Sequence, residues 1–349
     1  MSVKKTMQWA VVGAGPAGIA AVGKLIDHGV NPSAILWIDP HFKVGDLGTL
    51  WQNVSSNTSV ARFLDFLHNA ASFSWHQAPD QFPLRHLPPD ETCILHEIVG
   101  PLQWVSDNLR QQVMCVQANI KRMDLSKRLW TLASDTEHFR AHNVILATGA
   151  VPCSLNYAGV DVLPFDVAID KERLAKTIHT ENTYGVFGSS HSAIIIVRHL
   201  VELGVKKIIN FYRSPCRYAI DMGDWILFDN TGLKGATAAW ARDNIDGELP
   251  KNLVRYNTSE HHIARYLPEC DKVIYAVGFE RRNTLVLGDY EHVNYNPHVG
   301  IIGPGLFGFG IAYPEFKADP FGTEETQVGL WKFMVYLNKV LPVWFKYIT

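Results

Sequence analysis

Residues 8–39 read QWAVVGAGPAGIAAVGKLIDHGVNPSAILWID, and this stretch restricts the fold more than any other. The apolar run QWAVV predicts a buried strand, GAGPAG a tight turn, IAAVGKLIDHG a helix closing on Gly29, and AILWID a second strand that ends in acid. In that setting the glycines have separate physical tasks. Gly13 permits the turn, Gly15 lets a pyrophosphate approach the backbone, and Gly18 lets helix and strand pack closely. The helix N-terminus then offers free amides and the positive end of its dipole to an anion. The loop residues Gly13, Gly15, Pro16, Ala17 and Gly18 are therefore assigned to a dinucleotide cofactor, with Asp39, about twenty residues beyond the loop, accepting hydrogen bonds from the ribose hydroxyls.

The same order returns later in the chain. TYGVF predicts a strand, GSSHSA a turn, IIIVRHLVELG a helix and KKIINFYR a strand. Three readings of GSSHSA stand side by side. As a second nucleotide loop, Gly188 makes the turn, Ala193 replaces the packing glycine, and Ser190 takes the place of the phosphate-facing glycine, with Ser189 and His191 beside it. As a structural turn it has no ligand. As a GxSxS nucleophile elbow it would make Ser190 the nucleophile of a serine hydrolase, whose acid and oxyanion partners have no place in this sequence. His191 reads as a polar first-turn residue rather than a catalyst. Arg213 closes the second strand where the first unit carries its acid, and a guanidinium there favours an adenosine 2′-phosphate, hence NADP over NAD; the alternative is an ordinary surface arginine.

Composition sets the outer limits. A chain of 349 residues with 47% hydrophobic and 19% charged residues has room for two domains with cores of their own. A net charge of −2 provides no field for nucleic acid, so a small molecule is the expected partner, with a homodimer as the candidate assembly. Glycines and a proline interrupt the first apolar run before a membrane span or signal segment is complete, and a soluble, cytoplasmic protein is expected. Five cysteines without CxxC or CxxxxC spacing provide no disulfide framework, metal site or adjacent redox pair. Residues 41–59 read as loop, ARFLDFL as a short helix, and 78–89 as proline-broken chain. Asp90 or Thr92 is the expected cap of a helix disturbed at Pro101, followed by short alternating strands. A linker near residue 150, a loop-rich region over 215–265, the strand KVIYAVGF and a helix over EETQVGLWKFMVYLNKV complete the reading.

With these residues set out, the chain resembles the two-dinucleotide-binding-domain flavoproteins and, within them, the flavin-containing monooxygenase and thioredoxin-reductase-like groups. GAGPAG with Asp39 is similar to their FAD loop, and VILATGAVP, holding Thr148 and Gly149, looks like the segment that leaves the FAD domain; VIYAVGF looks like its second occurrence. The resemblance implies an α/β protein with two Rossmann-like domains of the three-layer ββα type, the NADP domain inserted in the FAD domain: residues 1–153 and 285–349 for FAD, 154–284 for NAD(P). LGTLWQNVSSNTS resembles the GGxW and Asn-Thr-Ser segments of flavin monooxygenases, which implies Trp51 and Asn57 at the reacting site. Asn57 has both a donor and an acceptor to offer the flavin or the nicotinamide amide.

Departures narrow the class. The cysteine pair of disulfide reductases is absent, the linker reads LPFDVAID in place of the FxGxxxH fingerprint, and Gly310-Ile311 replaces the usual Gly-Asp pair at the ribityl chain. The amides around Thr326, Gln327 and Val328 are expected to open the last helix toward the flavin pyrimidine. The function so implied is transfer of hydride from NADPH to FAD and on to oxygen or a small organic acceptor. A flavoprotein that does not use NADPH, because Ser190 narrows the second site, and the Ser190 hydrolase remain as alternatives. Residues 229–235 are expected to shape a substrate or interdomain surface.

Overall fold

Alternating exposure followed by burial on both faces makes Thr6–Val12 (β1) the axis of the first sheet in the computed structural model, which describes residues 5–282, 285–288 and 294–347. In chain order there follow α1 (Pro16–Asp27), β2 (Ile35–Ile38), α2 (Gly45–Thr49), β3 (Ser55–Ser59), α3 (Val60–His68), β4 (Thr92–Ile94), α4 (His96–Arg110), β5 (Met114–Val116), β6 (Arg122–Ser126), β7 (Leu129–Ala133), β8 (His138–Leu146) and β9 (Ala150–Pro152). The second unit holds α5 (Phe165–Ala168), α6 (Lys171–Thr177), β10 (Thr183–Phe187), α7 (His191–Glu202), β11 (Lys207–Tyr212), β12 (Ile220–Asp221), β13 (Ile226–Leu227), α8 (Gly235–Ala241), β14 (Leu253–Asn257), α9 (Glu260–Tyr266), β15 (Lys272–Tyr275) and β16 (Phe279–Arg281). The chain then returns through β17 (Val286–Leu287), β18 (Ile301–Gly303), β19 (Leu306–Gly308), β20 (Glu315–Ala318), β21 (Glu324–Gln327) and α10 (Leu330–Trp344).

β1 pairs in parallel with β2 on one side and β8 on the other, and β5 extends the sheet beyond β2. The long β8 serves two neighbours along one edge, the antiparallel β7 at residues 138–141 and the parallel β19 at residues 144–146. Successive side chains of a strand point to opposite faces, and here both faces are covered. Trp9, Val11, Ile35 and Trp37 pack under α1, α3, α4 and α10. Ala10, Val12, Leu36 and Ile38 pack against Met123, Trp130 and Leu132 of the β6–β7 hairpin. Helices, parallel sheet and antiparallel hairpin make the three layers. α1 is wrapped by this core, with eight of its twelve residues buried and its charged residues, Lys24 and Asp27, confined to the last turn.

The second sheet runs β14-β11-β10-β15, all parallel, and repeats the order β5-β2-β1-β8 of the first. The repeat extends to backbone sterics. A Cβ on Gly13, at φ +110°, would stand 2.2 Å from the Ala147 carbonyl oxygen, and one on Gly188, at φ +123°, 2.3 Å from that of Ala276. An antiparallel β9–β16 ribbon marks the place where the chain passes between the sheets. The return crossing expected at residue 284 lies outside the described residues.

Three expectations are corrected. Residues 41–59 are not continuous loop, since they form α2 and β3; two successive left-handed residues, Val44 (φ 58°) and Gly45 (φ 59°), turn the chain into a helix that no apolar period announces. Thr92 lies in β4 rather than capping a helix, and α4 starts at His96 without a side-chain cap and passes through Pro101. The last helix begins at Leu330, because residues 324–327 are held as a strand against β20. No described helix is long and apolar enough to cross a membrane. Since a Cβ on Gly18 would lie 1.9 Å from the Gly13 carbonyl, Gly18→Val is expected to destabilise the protein by at least about 1–3 kcal/mol, read as a lower midpoint in chemical denaturation.

Candidate active site

The first crevice opens at the N-terminus of α1. Gly15 is its N-cap and no side chain caps the helix, so the first-turn amides lack side-chain partners. A Cβ on Gly15 would meet only backbone of Val44 and Gly45, at 3.9–4.0 Å. Trp37 Nε1 donates to the Gly13 carbonyl at 2.9 Å and steadies the turn. Gly310, at φ +80°, closes over it so tightly that a Cβ there would lie 2.5 Å from that of Ala17. Thr148 and Gly149 follow β8 at the crevice mouth, half-buried, Gly149 at φ +74°. These features fit a dinucleotide pyrophosphate. Asp39 has a second task that its spacing did not reveal. Its Oδ2 accepts from the Ala14 amide at 2.7 Å, and its Oδ1 from the amides of His41 and Phe42 at 2.8 and 2.7 Å. A carboxylate has about four acceptor positions, so these three bonds leave room for one ribose hydroxyl rather than two.

The second crevice opens at α7. Ser190 is the N-cap in extended geometry (φ −94°, ψ −174°), with an exposed side chain that makes no cap bond. Ser189 Oγ donates to the Ser214 carbonyl at 2.6 Å and ties the loop to the turn after β11. Arg213, in that turn, is exposed and has no ion pair among the described residues, so its guanidinium is available to an anion. Buried Asn210 donates to the Val186 and Gly188 carbonyls at 2.9 and 2.8 Å and accepts from Arg255 at 2.8 Å, bracing the turn from below. A hydrolase would need a base on Ser190. None is in hydrogen-bond contact with it among the described residues, and the neighbouring His191 turns its ring the other way, Nε2 lying 3.1 Å from the Ser55 carbonyl.

A cavity of about 1410 Å³ is lined by residues of both units. Asn57 on β3 lines it together with Leu233 and Lys234, Gln327 and Val328, and the first turn of α10. Gln327 and Val328 are thus cavity wall, not helix N-terminus: Gln327 ends β21, and the Val328 amide is directed to Asn230 Oδ1 at 3.3 Å. The helix end that faces the cavity is Gly329–Trp331, uncapped by any side chain. Trp51 stands apart from Asn57. Its ring meets Phe165 and Phe279 edge-on at 5.6 and 6.2 Å and lines a separate hollow of about 290 Å³ with Asp46 and Arg282. Asp46 and Arg282 pair at 2.6 Å, and burial raises the Asp46 carboxyl above its ordinary value although Arg282 pulls it down.

Residues 229–235 form a clasp between the units. Asp229 pairs with Lys234 at 2.5 Å and with Lys332 of α10 at 2.6 Å, while Glu325 accepts from the Asn230 and Thr231 amides at 3.1 and 3.2 Å. Gly235 rests on Thr92 so closely that a Cβ would lie 2.6 Å from its hydroxyl. Burial lowers the Lys332 ammonium against the pull of Asp229; burial also opposes ionisation of Asp229, but Lys332 and Lys234 prevail and hold its carboxyl below the ordinary value. Lys332 and Glu325 sit about a hundred residues from their partners in sequence, and neither period nor spacing signals them. All five cysteines are free. Burial, first of all, pushes the thiols of Cys93 and Cys115 up to about 11 and that of Cys270 to about 12, which leaves them unreactive near neutrality.

Known proteins fit this geometry. A profile of the pyridine nucleotide-disulphide oxidoreductase family matches residues 7–302. Monooxygenase AgnR1 of Paecilomyces divaricatus is 32% identical over 390 aligned positions covering 99% of each chain. Among solved structures, an ornithine N-hydroxylase of Kutzneria sp. 744 superposes with a TM-score of 0.68 at 14% identity, covering 98% of this chain and 99% of that one. A flavin-containing monooxygenase of Stenotrophomonas maltophilia gives 0.66 at 13%, covering 99% and 100%. A thioredoxin reductase of Lactococcus lactis gives 0.58 at 11%, covering 98% and 99%. At such identities these structures share the fold. This chain belongs to the pyridine nucleotide-disulphide oxidoreductase family, and it is an oxidoreductase. Asp229→Ala would leave Lys234 and Lys332 facing each other without their common carboxylate; a loss of about 1.5–3 kcal/mol is expected, together with faster proteolysis of residues 315–329.

Proposed function

We propose that the chain is an FAD-dependent, NADPH-oxidising enzyme of the monooxygenase type. The observation that carries this is the pair of uncapped helix N-termini, α1 and α7, each behind a glycine turned against a carbonyl in the same register. FAD and NADP(H) are its cofactors; when bound, the flavin supplies the redox chemistry, accepting hydride from the nicotinamide and reacting with oxygen. The chain's own residues bind and align. Amides of the α1 first turn hold the FAD pyrophosphate, with Asp39 bracing the loop and meeting one ribose hydroxyl. Amides of the α7 first turn hold the NADPH pyrophosphate, and Arg213 meets the 2′-phosphate. Asn57 orients whatever enters the cavity, and the dipole of α10 favours negative charge at its wall.

Two features support the oxygenase reading over disulfide reduction: five free cysteines without paired spacing, and likeness along the whole chain to a protein named a monooxygenase. The substrate is a small organic molecule admitted to the cavity beside Asn57. The purified protein is expected to be yellow and to bleach when NADPH is added without air; colour that persists would remove the nicotinamide half of this reading. Arg213→Ala is expected to raise the KM for NADPH about 10–100-fold, as loss of a charge-assisted hydrogen bond implies, and to leave the KM for NADH unchanged. An unaltered preference between the two nucleotides would show that Arg213 is not the phosphate ligand.

A further inference from the structure

We propose that His191 is a positioning residue, joining the nicotinamide-nucleotide loop to the strand that carries Asn57 through a single imidazole hydrogen bond. This rests on the reading of α7 as the NADP(H) helix. His191 is the first residue of α7, directly after the N-cap Ser190, so its backbone belongs to the turn on which a dinucleotide phosphate would sit. Its ring serves a different partner. Nε2 lies 3.1 Å from the Ser55 carbonyl oxygen, and Ser55 and Asn57, two residues apart on β3, share one face of that strand. Among the described residues, His191 is the one side chain of α7 that reaches β3 by a hydrogen bond.

β3 needs such a hold. It belongs to neither main sheet and pairs with β4 alone, in a two-stranded ribbon whose register shifts between Ser55 and Ser59. A ribbon of this size is marginal on its own. The nucleotide unit grips the strand and its approach at two neighbouring points: Asn53 Nδ2, two residues before β3, donates to Asp170 Oδ2 at 2.9 Å, and His191 holds Ser55. Asp170 also caps α6 through the amides of Glu172 and Arg173, so the first grip is itself fixed.

The ring acts as a donor of one defined form. A carbonyl only accepts, so Nε2 carries the proton and Nδ1 is bare. Nδ1 is buried without a partner. Burial, first, and the nearby Lys234 lower the affinity of the ring for a second proton below the ordinary histidine value, against the pull of the Ser55 bond. The positive end of α7 acts in the same direction. A buried acceptor without a partner is a cost that phenylalanine would not carry, and its presence here is understandable if the donor on the other nitrogen is what the site uses.

The test compares His191→Phe, which keeps the ring's bulk and removes the donor, with His191→Gln, whose amide can donate from a similar reach. In the FAD-loaded enzyme under anaerobic conditions, His191→Phe is expected to slow flavin reduction at saturating NADPH about tenfold, the factor that about 1.4 kcal/mol carries. His191→Gln should restore most of the rate, and reduction by dithionite should be equal in all three proteins. Independently of activity, amide hydrogen exchange over residues 53–59 without nucleotide should be faster in His191→Phe than in the wild type and near wild type in His191→Gln. Wild-type rate and exchange in His191→Phe would overturn the proposal, as would equal impairment of both variants. If NADPH fails to bleach even the wild type, the functional reading falls; if it bleaches wild type and His191→Phe alike, that reading stands and the role given to His191 falls.

Discussion

At Gly13, Gly18 and Gly188 the backbone passes so near a carbonyl oxygen, 1.9–2.3 Å from where a Cβ would be, that any other residue would push the turn off the neighbouring strand or, at Gly18, the helix off the turn. These close approaches set the rest of the structure. They bring the first turns of α1 and α7 to the edge of their sheets with their amides free of side-chain caps, and the geometry and dipole of such a helix end favour an anion. The Ala147 and Ala276 carbonyls that restrict Gly13 and Gly188 follow β8 and β15 directly, so each turn is braced by the strand pairing on its far side.

How the two units are set against each other depends on a different class of interaction. The units meet through polar contacts at several points: Asp229 with Lys332, Glu325 with the 230–231 amides, Asn53 with Asp170, His191 with Ser55, and Asp46 with Arg282. Apolar contact adds to these, since Val54 lies within the core of the second unit and Trp51 packs against it. The cavity therefore has walls from both units.

Much of the architecture was legible because its signals are local. QWAVV and TYGVF are apolar runs followed by glycine, and both became the central strands of their sheets. The continuous burial of α1 from Ala17 to Gly23 follows from its apolar residues. Legibility ended where geometry replaced period. α2 is set by two left-handed residues rather than by an apolar stripe, and β21 is held by pairing with β20 although EETQVGLWK reads as the opening of a helix. Asp39 was placed by spacing, but its bonds to Ala14, His41 and Phe42 depend on how the chain folds back after β2.

The sequence by itself determined the two strand–turn–helix–strand units, the glycine corners, the lack of a cysteine pair and the change from Asp39 to Arg213 at equivalent strand ends, because each rests on sterics or charge within a few residues. Tertiary structure alone decided that Asn57 shares a cavity with residues 229–235 and the start of α10 while Trp51 does not, and that His191 reaches across to Ser55. Such contacts depend on the angle at which the two sheets are set, and no hydrophobic period or motif spacing encodes that angle.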